Sequence, residues 1–123
     1  MIISDFKKYQ AQTTPHPLMI EVSKAIGSYI FDTKGKKYLD FVAGVSACSV
    51  GHSNKKVINA IKKQSEKYMH VMVYGEFITK PSLNLAKLLA KNLPKQLSST
   101  YFTNSGTEAI ECAIKMARIY FSR

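Results

Sequence analysis

Acidic residues are scarce: eight Asp and Glu stand against eighteen Lys and Arg in 123 residues, a formal charge of +10. An imbalance of this size raises nucleic acid as a partner. The lysines are nevertheless spread, as Lys34, Lys36 and Lys37, as Lys55, Lys56, Lys62, Lys63 and Lys67, and as Lys87, Lys91 and Lys95, which is the habit of solvated faces. A recognition-helix arginine cluster, a zinc-ligand pattern and an aromatic–basic sheet motif are all missing. The expectation is therefore no nucleic acid, with the excess charge left for an acidic partner or further chain to balance. Cysteine is limited to Cys48 and Cys112, without metal-ligand spacing, so no metal is expected and a disulfide has no support. No apolar run approaches the ~20 residues of a membrane span, and the Met1-Ile-Ile-Ser-Asp opening has neither the basic nor the apolar region of a signal peptide. A cytoplasmic protein without a membrane partner is expected. Repeats and low-complexity linkers are lacking too, and 46% hydrophobic residues argue against disorder. One domain's worth of chain at most, with a modest core, is what remains.

Residues 4–12 suit a short helix with Phe6 and Tyr9 on one side, ended by the extended entry that Pro15-His16-Pro17 enforces. His16 has no second ligand nearby and reads as an exposed structural histidine. From Leu18 to Val42 the pattern is β-like, with a turn at Asp32-Thr-Lys-Gly-Lys-Lys37, and predicts a small antiparallel meander. The following loop, Ala43 to His52, is long, small-residued and weakly polar, so it is either packed under another element or lines a pocket. His52 reads as satisfied by local hydrogen bonds, with no nucleophile or acid partner positioned beside it in the sequence. Ser53, a candidate N-cap, opens an amphipathic helix to about His70, with Val57, Ile58, Ile61 and Tyr68 inward. The helical period breaks around Gly75, where Tyr74 and Glu76 are candidates to face a ligand and a packed connection is the default. Lys80-Pro81-Ser82 starts another helix with Leu85, Leu88, Leu89 and Leu93 as its stripe, closed by Asn92-Leu-Pro94.

The most informative stretch is Ser99 to Arg118. Thr100 to Thr103 suits a strand, Asn104-Ser-Gly-Thr107 is a breaker, and an alanine-rich helical pattern follows at once. Ser105 and Glu108 have capping-box spacing, which leaves the Gly106 and Thr107 amides pointing off the helix end. With the helix dipole behind them these donors suit a phosphate, and Gly106 leaves the backbone open to it. The same tripeptide is also an ordinary helix cap, and this signal does not decide between the two. Ile110, Ile114, Ala117 and Phe121 share one face, to be packed on a sheet. A strand, phosphate-type turn and helix belong to a doubly wound α/β sheet. Either this strand joins the meander or the chain is the front of something longer.

In order along nearly the whole chain, Gly27-Ser-Tyr-Ile-Phe-Asp32, Gly35-Lys-Lys-Tyr-Leu-Asp-Phe41, Ala43-Gly44-Val45, Gly51-His52, the Val57 helix with Ala60 and Gln64, and Ser105-Gly-Thr-Glu-Ala109 resemble the N-terminal landmarks of the class III, fold type I aminotransferases. The resemblance implies an α/β fold, α+β over this segment: a meander with helices, then the first strand and helix of the large domain. It divides the chain into an N-terminal segment (1–52), a helical connection (53–98) and the start of the cofactor domain (99–123). It implies pyridoxal 5′-phosphate as cofactor, with Ser105, Gly106 and Thr107 holding its phosphate and Gly44 and Val45 near the substrate. Amino-acid and 2-oxo-acid substrates and a homodimer are implied as well. The likeness is to acetylornithine, ornithine and 4-aminobutyrate aminotransferases; valine rather than an aromatic at position 45 leans away from ornithine. Residues 70–77 are implied to lie near the active-site entrance, where Val71-Met-Val-Tyr departs from the family's usual wording. The family's cofactor-bonding lysine, its aspartate at the pyridine nitrogen and its stacking aromatic come after the region matched, so no lysine here is assigned that role and the chain alone is expected to be inactive. A stand-alone phosphate- or nucleotide-binding module without catalysis is the alternative.

Overall fold

The computed structural model describes residues 2–72 and 75–122, so the candidate Tyr74 lies outside the described residues. The chain forms two units, residues up to 70 and residues from 71. In the first, α1 (Ile2–Tyr9) precedes strands β1 (Val22–Ile26), β2 (Tyr29–Asp32) and β3 (Lys37–Leu39), then α2 (Lys55–Ser65). The second holds α3 (Lys80–Asn92) and α4 (Gly106–Phe121). The helix expected over 4–12 thus starts and stops earlier, and Tyr9 is exposed.

The meander is as the sequence pattern implies: β1, β2 and β3 pair antiparallel in chain order. Ile26 faces Tyr29 across the glycine-first turn Gly27-Ser28, whose Gly27 has φ +56°, a conformation that matches the twist of the flanking strands. A bulge between Val22 and Lys24 leaves Ser23 free to donate its hydroxyl to the carbonyls of Phe31 (3.0 Å) and Asp32 (2.9 Å). The β2–β3 turn is organised by one carboxylate. Asp32 Oδ1 accepts from the amides of Lys34 (2.9 Å) and Lys36 (2.8 Å), and Oδ2 accepts from the Tyr38 hydroxyl (3.0 Å). Lysine ammoniums lie over the sheet's aromatic rings, Lys37 over Tyr29 at 3.5 Å and Lys24 over Phe31 at 5.1 Å.

Two sequence expectations are corrected at α2. Its N-cap is Asn54, whose Oδ1 accepts from the amides of Lys56 (3.0 Å) and Val57 (3.4 Å), whereas Ser53 sits at φ +53° and donates its hydroxyl to Ala25 O (2.7 Å). The helix also ends at Ser65 rather than near His70, because the Gln64 side chain turns to donate to Tyr68 O (3.1 Å) and residues 66–68 close as turns. α3 starts as expected, with Pro81 in its first turn.

None of the described residues is buried. The inward faces expected of α2 and α4 are open: Val57, Ile61, Ile110, Ile114 and Phe121 are all exposed. Residues 100–103, expected as a strand, have no regular structure. Their β-branched and aromatic composition suits a pleated surface, but a strand exists only with a neighbour to share its ladder, and no described segment pairs with them. No described helix is long and apolar enough to cross a membrane.

Candidate functional site

Two regions hold the candidate site residues, one in each unit. In the second unit, α4 opens with Ser105 as N-cap, φ −146° and ψ 160°, its Oγ accepting from the Glu108 amide (3.2 Å). Glu108 reaches back so that its Oε2 accepts from the Asn104 amide (2.8 Å), one residue before the cap. The capping box read from the sequence is therefore formed in a slightly longer version. Thr103 Oγ1 donates to Ser105 O (3.0 Å), which holds the approach to the turn.

The consequence for chemistry lies in what this leaves over. The amides of Gly106 and Thr107 have no acceptor among the described residues, and the hydroxyls of Ser105 and Thr107 still have protons to donate. A Cβ built on Gly106 would meet no heavy atom within 4 Å. Unpaired amides at the positive end of a 16-residue helix, flanked by hydroxyls and facing open space, are a fitting donor set for a phosphate dianion. The carboxylate in the first turn, Glu108, is already engaged by the Asn104 amide. A shallow groove lined by Tyr101, Thr103, Thr107, Glu111 and Lys115 runs along the same turns of α4.

In the first unit the loop after β3 carries Gly44 and Val45. Four successive residues, Ala43, Gly44, Val45 and Ser46, have φ of 49°, 61°, 55° and 66°, a full left-handed turn. It is closed by Ser46 N–H to Val42 O (3.1 Å) and Cys48 N–H to Ala43 O (2.9 Å). Only glycine adopts this region freely. Ala43, Val45 and Ser46 each cost roughly 1–2 kcal/mol there, and the β-branched Val45 belongs at the upper end. Val45 is 87% exposed, so its own packing does not offset that cost.

The loop ends supply the compensation. Asp40 N–H donates to Ser28 O (2.9 Å), and Gly27 and His52 exchange both backbone hydrogen bonds (3.0 and 2.8 Å), which anchors the two ends on adjacent residues of the β1–β2 turn. Gly51 lies against Gly27, where an added Cβ would come within 3.4 Å of that backbone. Across this anchor His52 Nε2 donates to Asp40 Oδ2 at 2.7 Å, with the two side chains only 17% and 8% exposed. Asp40 Oδ1 accepts from the amides of Val42 (3.0 Å) and Ala43 (2.9 Å). An acid partner for His52 thus exists, contrary to the expectation from sequence; it lies twelve residues away, and the Gly35-to-Phe41 and Gly51-His52 landmarks already contained both halves of the pair.

The hydrogen bond from His52 holds the Asp40 carboxyl below the ordinary value of 3.8, aided by the Ala43 and Val42 amides against the upward pull of burial. For Asp32, burial pulls upward, but the Lys36 and Lys34 amides and the Tyr38 hydroxyl outweigh it and the net shift is again downward. A carboxyl lowered on folding adds stability that is present above its unfolded value and is lost as pH falls through its folded value. Both turns should therefore stay intact down to pH 3.8 and loosen below it. Carbon-detected NMR titration of the two side chains checks this, and a midpoint above 3.8 for either would contradict it.

A family model for aminotransferase class-III matches residues 9–123, and the chain belongs to that family. It is 42% identical over 117 residues to the acetylornithine aminotransferase of Methanocaldococcus jannaschii, covering 95% of this chain and 28% of the relative. Among solved structures it superposes on the adenosylmethionine-8-amino-7-oxononanoate aminotransferase of the same organism with a TM-score of 0.85 at 32% identity, covering 98% of this chain and 29% of the other. The ω-transaminase of Pseudomonas jessenii in complex with PMP gives 0.83 at 26% identity, covering 96% and 27%. The fold is accordingly an α+β segment of the fold type I transaminases, and the chain spans less than a third of the proteins it matches.

Proposed function

We propose that this chain is the N-terminal part of a pyridoxal-phosphate-dependent aminotransferase, acting in the cytoplasm as a homodimer, that moves an amino group from an acetylornithine-like or other ω-amino donor to a 2-oxo acid. Its division into residues 1–52, 53–98 and 99–123 belongs to the same reading. The observation that carries it is the pair of unpartnered amides at Gly106 and Thr107, in the turn whose resemblance to the family's landmarks implies a phosphate-binding role. Ser105, Gly106 and Thr107 hold the cofactor phosphate through amide and hydroxyl protons, and Glu108 keeps the turn in shape through Asn104. When bound, pyridoxal 5′-phosphate supplies the electron sink that lets an amino group pass between carbon skeletons. Gly44 and Val45 border the substrate, the exposed valine leaving room for a long ω-amino donor. The PMP held by the Pseudomonas jessenii ω-transaminase supports the cofactor, and the acetylornithine aminotransferase relative supports the donor class.

Amino-group transfer by the protein expressed from its full native gene, assayed with acetylornithine and a 2-oxo acid, tests this reading. Turnover is expected there, and none from the 123-residue chain supplied with pyridoxal 5′-phosphate. Transfer catalysed by the chain alone would show the chemistry resides in residues assigned none of it. Inactivity of the full protein toward every amino donor would leave only phosphate binding.

A further inference from the structure

We propose that Asp40 and His52 are positioning residues whose clasp across the ends of the loop holds the left-handed turn 43–46, and with it Gly44 and Val45, in the geometry that receives the amino donor. This rests on the functional reading above for its substrate side, but the clasp itself rests on geometry alone. A run of four left-handed residues, three of them not glycine, persists only when its surroundings over-determine it. Here the surroundings are few. No described residue packs over the turn closely enough to bury it, and the anchors are the backbone bridge at Gly27 and the carboxylate of Asp40.

That carboxylate performs two tasks at once. Oδ1 gathers the amides of Val42 and Ala43, which sets the chain direction entering the strained turn, and Oδ2 accepts a hydrogen bond from His52 Nε2–H, which ties the exit of the loop to its entrance. An ionised carboxylate only accepts, so Nε2 carries the proton whether the ring is neutral or charged. The clasp is thus a donor–acceptor latch, and any side chain with an N–H at similar reach can close it. Neither residue touches the reacting atoms in this scheme; they act through the position of Val45.

The experiment uses the holoenzyme expressed from its native gene, with His52→Ala, His52→Gln and, should His52→Ala not be recovered folded, Asp40→Asn. Two quantities are read: hydrogen exchange at the Val42 and Ala43 amides, and the separate values of kcat and KM for the amino donor. Opening the latch is expected to speed exchange at both amides roughly tenfold. KM is expected to rise by a similar factor with kcat held within about twofold, because an interaction present in ground and transition states alike is lost. His52→Gln, which keeps an N–H for Asp40, is expected to restore both toward the wild-type values. Unchanged exchange in the opened variants would overturn the clasp. Faster exchange with an unchanged KM, or a KM that His52→Gln fails to restore, would overturn the positioning role. If the wild type turns over no donor at all, the functional reading and the substrate side of the proposal fall together, while the exchange rates still decide the clasp by themselves.

Discussion

Gly106→Val is expected to lower the affinity for pyridoxal 5′-phosphate about 100-fold while leaving α4 folded. The two effects separate because of what surrounds this position. A Cβ there meets nothing within 4 Å in the protein, and Gly106 does not need a positive φ. Valine is a better helix residue than glycine by a few tenths of a kcal/mol, so α4 itself should be unharmed or slightly favoured. The branched side chain instead occupies the space in front of the unpaired amides. A phosphate kept from them loses charge-assisted hydrogen bonds of roughly 1.5–3 kcal/mol each, and a loss of about 3 kcal/mol corresponds to the 100-fold change. Cofactor titration of the two proteins by absorbance, with circular dichroism as the control for helix content, makes the comparison. Equal affinity in the variant would remove Ser105-Gly106-Thr107 from the phosphate site.

The second large effect concerns the 123-residue chain by itself, which should not persist as a monomer in solution. None of the described residues is buried, and the apolar faces of the helices in each unit lie open. Apolar burial worth on the order of tens of kcal/mol is thereby unrealised. On α4, Ile110, Ile114, Ile119 and Phe121 are between 48% and 83% exposed, and Leu85 and Leu88 of α3 are likewise open. Apolar surface on this scale finds other apolar surface. Sedimentation at micromolar concentration should therefore show species well above 13.8 kDa. A sharp boundary at the monomer mass would mean that the chain covers these faces by itself, and would overturn the expectation.

The features legible in the sequence are those decided within a few residues. The capping of α4 is set by Ser105 and Glu108, three apart, and the Asp32–Lys37 turn by one carboxylate bonding amides two and four residues on. The start of α3 at Pro81 is equally local. The order of short landmarks from Gly27 to Ala109 carried the family, because each marks a local backbone requirement that only a few residue types meet. Asp40 and His52 were not joined by the same reasoning, since nothing periodic links residues twelve apart and each had a plausible local role. Nor did composition reveal the left-handed turn at 43–46, because alanine, valine and serine adopt that region only when anchors elsewhere impose it. The segment 100–103 shows the same division from the other side: its residues favour a strand, but pairing is a property of two segments. By itself the sequence determined the cap of α4, the turn at Asp32–Lys37, the start of α3 and the family membership of this protein, which depend on short-range sterics and hydrogen bonds, but not the cap and end of α2. The tertiary structure alone decided the Asp40–His52 clasp and the strained loop it closes, because both exist only once the ends of that loop are brought onto Gly27 and Ser28.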